Sequence, residues 1–156
     1  MSINLKQLMK ILTKEMRYSK KINIYNYNNF KYHIQNYRDD DWKKYISDLP
    51  KNKNIHNKFL IPIENEYFDL FLINWPPNVE TKIHAHSNFG CLQKMLIGSL
   101  LEKRFNIDTY KFLDEKILNK ADVSYIRDKD ALHQIKNIYD VNAFSLHFYH
   151  PKIRTI

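Results

Sequence analysis

From Phe59 onward the chain divides into short runs rich in aromatic, leucine and β-branched residues: FLIPI, YFDLFLINW, TKIHAH, CLQKMLIGSLLEKRF, VSYIRD, LHQIKNI and NAFSLHFYH. Turn-forming Pro, Asn and Asp residues separate them. Runs of this length with such boundaries predict strands rather than helices. Many short strands in succession must bury their apolar faces against one another, which restricts the chain to a small β-barrel or jelly roll.

The first part of the chain reads differently. Leu5, Leu8, Met9, Leu12 and Met16 recur at helical spacing, with Ser2 or Asn4 placed to cap an amphipathic helix. Residues 18–38 predict mixed helix and loop. A short helix is expected after Asp39, with Trp42, Tyr45 and Ile46 on one face, ended by LPKNKN and its Pro50. The expected organisation is one mainly β domain over 1–156, with a helical part at 1–50 and the barrel at 58–152. A chain of 156 residues, 44% hydrophobic and 14% aromatic, suits one core.

No apolar stretch approaches a membrane span, and MSINLKQLMKILTKEM lacks the pattern of a signal peptide. A single cysteine excludes an internal disulfide and a cysteine-built zinc site. The expectation is a cytoplasmic monomer with no membrane partner. The net charge of +8 comes from dispersed lysines, without a long run of like charge or a nucleic-acid motif. It predicts a solvated lysine face that draws small anions, and no nucleic acid partner.

The histidines carry more information. His84 and His86 are two apart, so on one strand both imidazoles project from the same face. His133 is expected to add a third nitrogen from the opposite wall. Three neutral imidazoles leave a divalent ion electrophilic, with open positions for small ligands. The plainer alternative for an H-x-H pair is a surface or satisfied core position. His33 and His150 are read as surface or turn residues.

In SLHFYHP, Ser145, His147 and Tyr149 alternate, while Leu146 and Phe148 point the other way. Either the polar series faces inward, satisfied by a relay from Ser145 through His147 to the Tyr149 hydroxyl, or it faces water with Leu146 and Phe148 in the core.

The run from His84 to Gly98, with Cys91 where a metal-binding cupin usually places a carboxylate, matches the spacing of the first cupin signature. His133 and Asn137 match the second. Over residues 42–151 the chain resembles cysteine dioxygenases, the mononuclear iron thiol dioxygenases of the cupin superfamily. The shared landmarks are Trp42 and Tyr45 in DDWKKYI, FDLFLINW ending at Trp75, IHAH, Cys91, KMLIGSLLEKRF, YIRDKDALHQIKNI and SLHFYHP.

The resemblance implies a cupin-type β-barrel or jelly roll with N-terminal helices, and Fe(II) held by His84, His86 and His133. It implies that free L-cysteine is oxidised by O2 to cysteine sulfinic acid. Tyr149 would orient the reactants, His147 would fix Tyr149, and Ser145 would fix the imidazole tautomer. Cys91 would be joined to Tyr149 by a thioether. Lys58 falls where the family reads the substrate carboxylate with arginine, and His56 where it has tyrosine; with Trp75 they form the expected substrate-binding set. Lysine lacks the planar fork of arginine, so 3-mercaptopropionate, cysteamine and an N-terminal cysteine are alternative substrates. A non-catalytic metal- or ligand-binding cupin and a zinc cupin are alternatives of another class.

Overall fold

The computed structural model describes residues 3–46, 52–62, 64–85, 90–127 and 130–152. Ser2, Pro50 and His86, each singled out in the sequence, lie outside these.

Helix α1, Leu5–Ile22, begins at Asn4, whose side chain accepts from the Gln7 amide while Gln7 returns a bond to the Asn4 amide. This reciprocal cap satisfies N–H groups that the first turn cannot pair. Leu5, Leu8, Met9, Leu12 and Met16 form its buried stripe, as their spacing predicts. Helix α2, Tyr27–Asn36, lies within the segment read as helix and loop, and a 3-10 turn covers Asp41–Tyr45 with Trp42 buried. Among the described residues no helix is long and apolar enough to cross a membrane.

The strands are β1 Asn57–Leu60, β2 Asp69–Trp75, β3 Cys91–Ile97, β4 Leu100–Phe105, β5 Phe112–Leu118, β6 Val123–Ile126, β7 Leu132–Lys136 and β8 Ala143–Tyr149. They pair antiparallel in two sheets, ordered β1-β2-β8-β3-β6 and β5-β4-β7. The sheets face one another as a jelly roll, without closing into one continuous barrel. Gly98 separates β3 from β4 at φ +77°, and a Cβ there would stand 2.9 Å from the Ala143 Cβ. The long run CLQKMLIGSLLEKRF therefore splits into strands of different sheets.

Two expectations change. TKIHAH was expected to be a strand; its described part instead makes one isolated bridge to β7, His84 with His133, and the preceding Glu80 makes another with Lys136. Strand β5 was not anticipated, because FLDEKIL lies at a sheet edge with most of its residues exposed and shows no apolar alternation.

The larger sheet is apolar on both faces. Leu70, Leu72, Leu92, Leu96, Leu146 and Phe148 pack with the helices. Phe71, Ile73, Trp75, Cys91, Met95 and Tyr149 face the smaller sheet. Lys94, buried at 3% exposure, reaches through the helical layer to donate to the carbonyls of Ile34, Gln35 and Tyr37. It thereby meets the negative end of α2 with a positive charge. Burial lowers its pKa to about 8.

Candidate active site

A cavity of about 410 Å³ opens between the sheets, with Lys58, Trp75, His84, His133, His147 and Tyr149 in its lining. The two groups of polar residues picked out in the sequence occupy different walls.

On the wall of the smaller sheet, His84 and His133 exchange backbone hydrogen bonds of 3.0 and 3.1 Å. Residues paired this way put their side chains on one face. The third-nitrogen expectation therefore needs correcting: His133 stands beside His84, not across the cavity from it. Their ring centroids are 4.5 Å apart. His84 Nδ1 donates to the Lys82 carbonyl at 2.8 Å, and His133 Nδ1 donates to Glu102 at 3.0 Å. With those protons placed, each neutral ring presents its Nε2 lone pair, and the two Nε2 atoms lie 3.0 Å apart. Burial first, and the adjacent His133 second, push His84 down to about 4, so it is a neutral donor at neutral pH.

Two lone pairs at that separation repel unless a cation stands between them, and both can reach one ion at about 2.1 Å. The donor set therefore fits a divalent transition metal. Among the described residues it consists of two imidazoles; His86, the expected third ligand, lies outside them.

Glu102, 1% exposed, holds His133 in place. Its second oxygen accepts from Ser124 at 3.0 Å and from Arg104 at 3.2 Å. Burial alone would raise its pKa; the hydrogen bond from the adjacent His133, with the Arg104 and Lys116 charges, overrides it and brings the group to about 2. The sequence reading missed Glu102. The available signal was its position two after Leu100 on β4, which puts a carboxylate on the inward face where it must find partners.

The facing wall holds the series on β8. Ser145, His147 and Tyr149 are 0%, 3% and 6% exposed, and Leu146 and Phe148 each 1%. The choice between an inward polar face and a buried apolar face does not arise, because both faces of β8 are buried. The Trp75 indole N–H donates to Ser145 Oγ at 2.8 Å, and an indole nitrogen can only donate. Ser145 Oγ also bonds His147 Nε2 at 2.6 Å, so one hydroxyl ties the indole to the imidazole. The other ring nitrogen, Nδ1, lies 3.5 Å from the Tyr149 hydroxyl and 3.8 Å from Cys91 Sγ. Trp75 lines the cavity as expected, but its N–H also begins this chain of bonds.

Cys91 on β3 is directly opposite Tyr149 on β8. Burial pushes the Cys91 thiol up to about 12, while its hydrogen bond with Tyr149 acts the other way. Burial, and then the adjacent Cys91, hold the Tyr149 hydroxyl well above its ordinary value. Both groups are protonated at neutral pH.

Lys58 stands exposed at the rim, its Nζ 5.9 Å from the Tyr149 ring centroid. His56 stacks on Trp75 with centroids 5.0 Å apart. Burial, then the Lys58 charge, lower the His56 pKa. His150, read as a surface or turn residue, is buried and bonded through Nδ1 to the Tyr67 carbonyl; His33 is partly buried beside Glu15.

The family model for cysteine dioxygenase type I matches residues 3–156. The chain belongs to this family. Cysteine dioxygenase type 1 of Homo sapiens is 32% identical over 106 residues, which cover 64% of this chain and 53% of the human protein. The corresponding protein of Danio rerio is 26% identical over 122 residues, 74% of this chain and 59% of that protein. The chain thus spans little more than half the length of these curated relatives.

Solved structures show the same fold at low identity. A Klebsiella pneumoniae protein with a double-stranded β-helix domain has a TM-score of 0.57 at 14% identity, covering 73% of this chain and 90% of its own. The cupin domain of Schizosaccharomyces pombe Cnp3 has a TM-score of 0.50 at 13% identity, covering 62% and 61%. Within the cysteine dioxygenase type I family, this member pairs the His84 and His133 imidazoles beside the small sheet and carries a lysine at the cavity rim.

Proposed function

We propose that the chain is an iron-dependent thiol dioxygenase that oxidises free L-cysteine to cysteine sulfinic acid. The observation that carries this reading is the converging His84 and His133 lone pairs facing the Ser145–His147–Tyr149 series across one cavity. Family membership agrees with it.

His84 and His133 would hold Fe(II), with His86 as third ligand on the strength of its spacing from His84 in the sequence. When bound, the ion supplies the Lewis acidity that turns a thiol into a thiolate and the reducing character that makes dioxygen reactive. Atoms balance simply: one thiol and one O2 give one sulfinic acid, with both oxygen atoms on sulfur, which is oxidised as dioxygen is reduced. Glu102 keeps the His133 proton on Nδ1, so that Nε2 stays a donor to metal. Tyr149, neutral because it is buried, presents its hydroxyl near the substrate and orients it by hydrogen bonding. His147 holds that hydroxyl, and Ser145 with Trp75 fixes which ring nitrogen bears the proton.

Lys58 at the rim would pair the substrate carboxylate as a point charge. Cys91, the cross-strand partner of Tyr149, would form a thioether with its ring. The new bond replaces the S–H and a ring C–H, and dioxygen accepts the two electrons and two protons released.

A second reading, a thiol dioxygenase for another small thiol, is favoured by Lys58 itself, since an ammonium at an open rim selects a carboxylate less strictly than a guanidinium fork. The deciding experiment is oxygen uptake by the Fe(II)-loaded protein with L-cysteine, 3-mercaptopropionate, cysteamine and a Cys-initiated peptide, with product masses read in parallel. Uptake with cysteine and a gain of both oxygen atoms supports the first reading. Preference for another thiol supports the second, and no uptake with iron bound leaves a binding protein.

A further inference from the structure

Gln93 lies 2% exposed on β3, and among the described residues neither its amide nitrogen nor its amide oxygen has a hydrogen-bond partner. A buried primary amide with both ends unpaired costs about 1–3 kcal/mol for each group. A leucine at this position would fill the core without that cost, so the glutamine calls for a ligand.

Its surroundings say where the ligand lies. Gln93 is two residues from Cys91 on the same face of β3, with His147 directly across on β8 and Ser124 directly across on β6. Cys91 is itself directly across from Tyr149, so Cys91, Gln93, His147 and Tyr149 form the corners of one square on the inner face of the sheet. The Ser124 side is already engaged, its hydroxyl donating to Glu102 at 3.0 Å. On the His147 side the contacts are long: Nδ1 is 3.5 Å from the Tyr149 hydroxyl and 3.8 Å from Cys91 Sγ. Opposed residues have Cβ atoms about 5 Å apart, so the Gln93 and His147 side chains are cross-strand neighbours.

We propose that Gln93 holds an ordered internal water against Cys91 and the His147 ring, and that through this water it positions His147. The water would donate to the amide oxygen and accept from the amide N–H or the imidazole N–H, giving it the two to four polar partners that an internal water requires. Gln93 is then a positioning residue, touching neither substrate nor metal. The water site stands on the fold alone; its effect on turnover rests on the dioxygenase reading.

The test compares wild type with Gln93→Met, which keeps length and volume but removes the amide. High-resolution crystal structures should show a water about 3 Å from the Gln93 amide in wild type and none in the variant. In kinetics on the Fe(II)-loaded enzyme, kcat should fall about fivefold with KM unchanged, the rate equivalent of one ordinary hydrogen bond. Absence of that water in wild type would overturn the proposal. So would a variant with higher Tm and unchanged kcat, the behaviour of an inert unpaired amide replaced by an apolar group of its shape. If Gln93→Met fails to fold, Gln93→Leu takes its place, and the wild-type density alone still decides the water. Wild-type protein that takes up no oxygen with any thiol overturns the dioxygenase reading, not the water site, which is read without activity.

Discussion

Replacing Glu102 with glutamine changes little in shape, yet it removes a charge on which the His84–His133 wall is built. The carboxylate is 1% exposed and accepts from His133, Ser124 and Arg104. Folding lowers its pKa from an ordinary 4.5 to about 2. At 1.36 kcal/mol per pKa unit, that difference corresponds to about 3 kcal/mol of stability at pH 7. A group whose pKa falls on folding stabilises fully above its unfolded value and loses that contribution as pH drops through the folded one. The contribution should therefore persist from pH 7 to about pH 5 and shrink to about 1 kcal/mol at pH 3. The assay is urea unfolding of metal-free wild type and Glu102→Gln at pH 7, 5 and 3. The expected result is a stability gap of about 3 kcal/mol at pH 7 that narrows toward pH 3. A gap that stays constant with pH, or no gap, would refute the assignment of Glu102 as a buried ionised partner of His133. Iron affinity should also fall, by about 10- to 100-fold, because His133 loses its anionic anchor.

His84→Ala and His133→Ala should each abolish stoichiometric iron binding, measured by metal analysis after gel filtration; retained iron would remove that residue from the ligand set. Lys58→Ala should raise KM for L-cysteine about tenfold while leaving cysteamine within about twofold, since only cysteine offers a carboxylate; equal effects would place Lys58 outside the substrate site. Ser145→Ala withdraws the partner of both the Trp75 N–H and His147 Nε2 and should cost about 2–4 kcal/mol in chemical unfolding as well as slowing turnover. Intact mass of the active protein should be lower by a pair of hydrogens, and Cys91→Ser should restore the unmodified mass.

Helix α1 was legible because its amphipathic period reports burial directly, and the β-rich remainder because its apolar runs end at turn residues. The stripe from Leu5 to Met16 is the buried face of α1, and the runs at 69–75, 91–97 and 143–149 are strands. Strand β5 was not legible, since an exposed edge strand imposes no alternation on its side chains. Nor was the role of the helical layer. Because α1 and α2 cover the outer face of the larger sheet, Leu146 and Phe148 can be buried on one side of β8 while Ser145, His147 and Tyr149 are buried on the other.

The sequence by itself determined which side chains share a face: spacing of two along β8 aligns Ser145, His147 and Tyr149, whatever else the chain does. It also put His84, His86 and His133 forward as candidate metal ligands. Only the tertiary structure decided that His133 lies beside His84, that Glu102 bonds His133 and Trp75 bonds Ser145, and that Gln93 joins the Cys91–Tyr149 square. The physical reason is that intrastrand period is a local property of the backbone. Which strands become neighbours, and which buried polar group meets which partner, depends on packing between segments far apart in the chain.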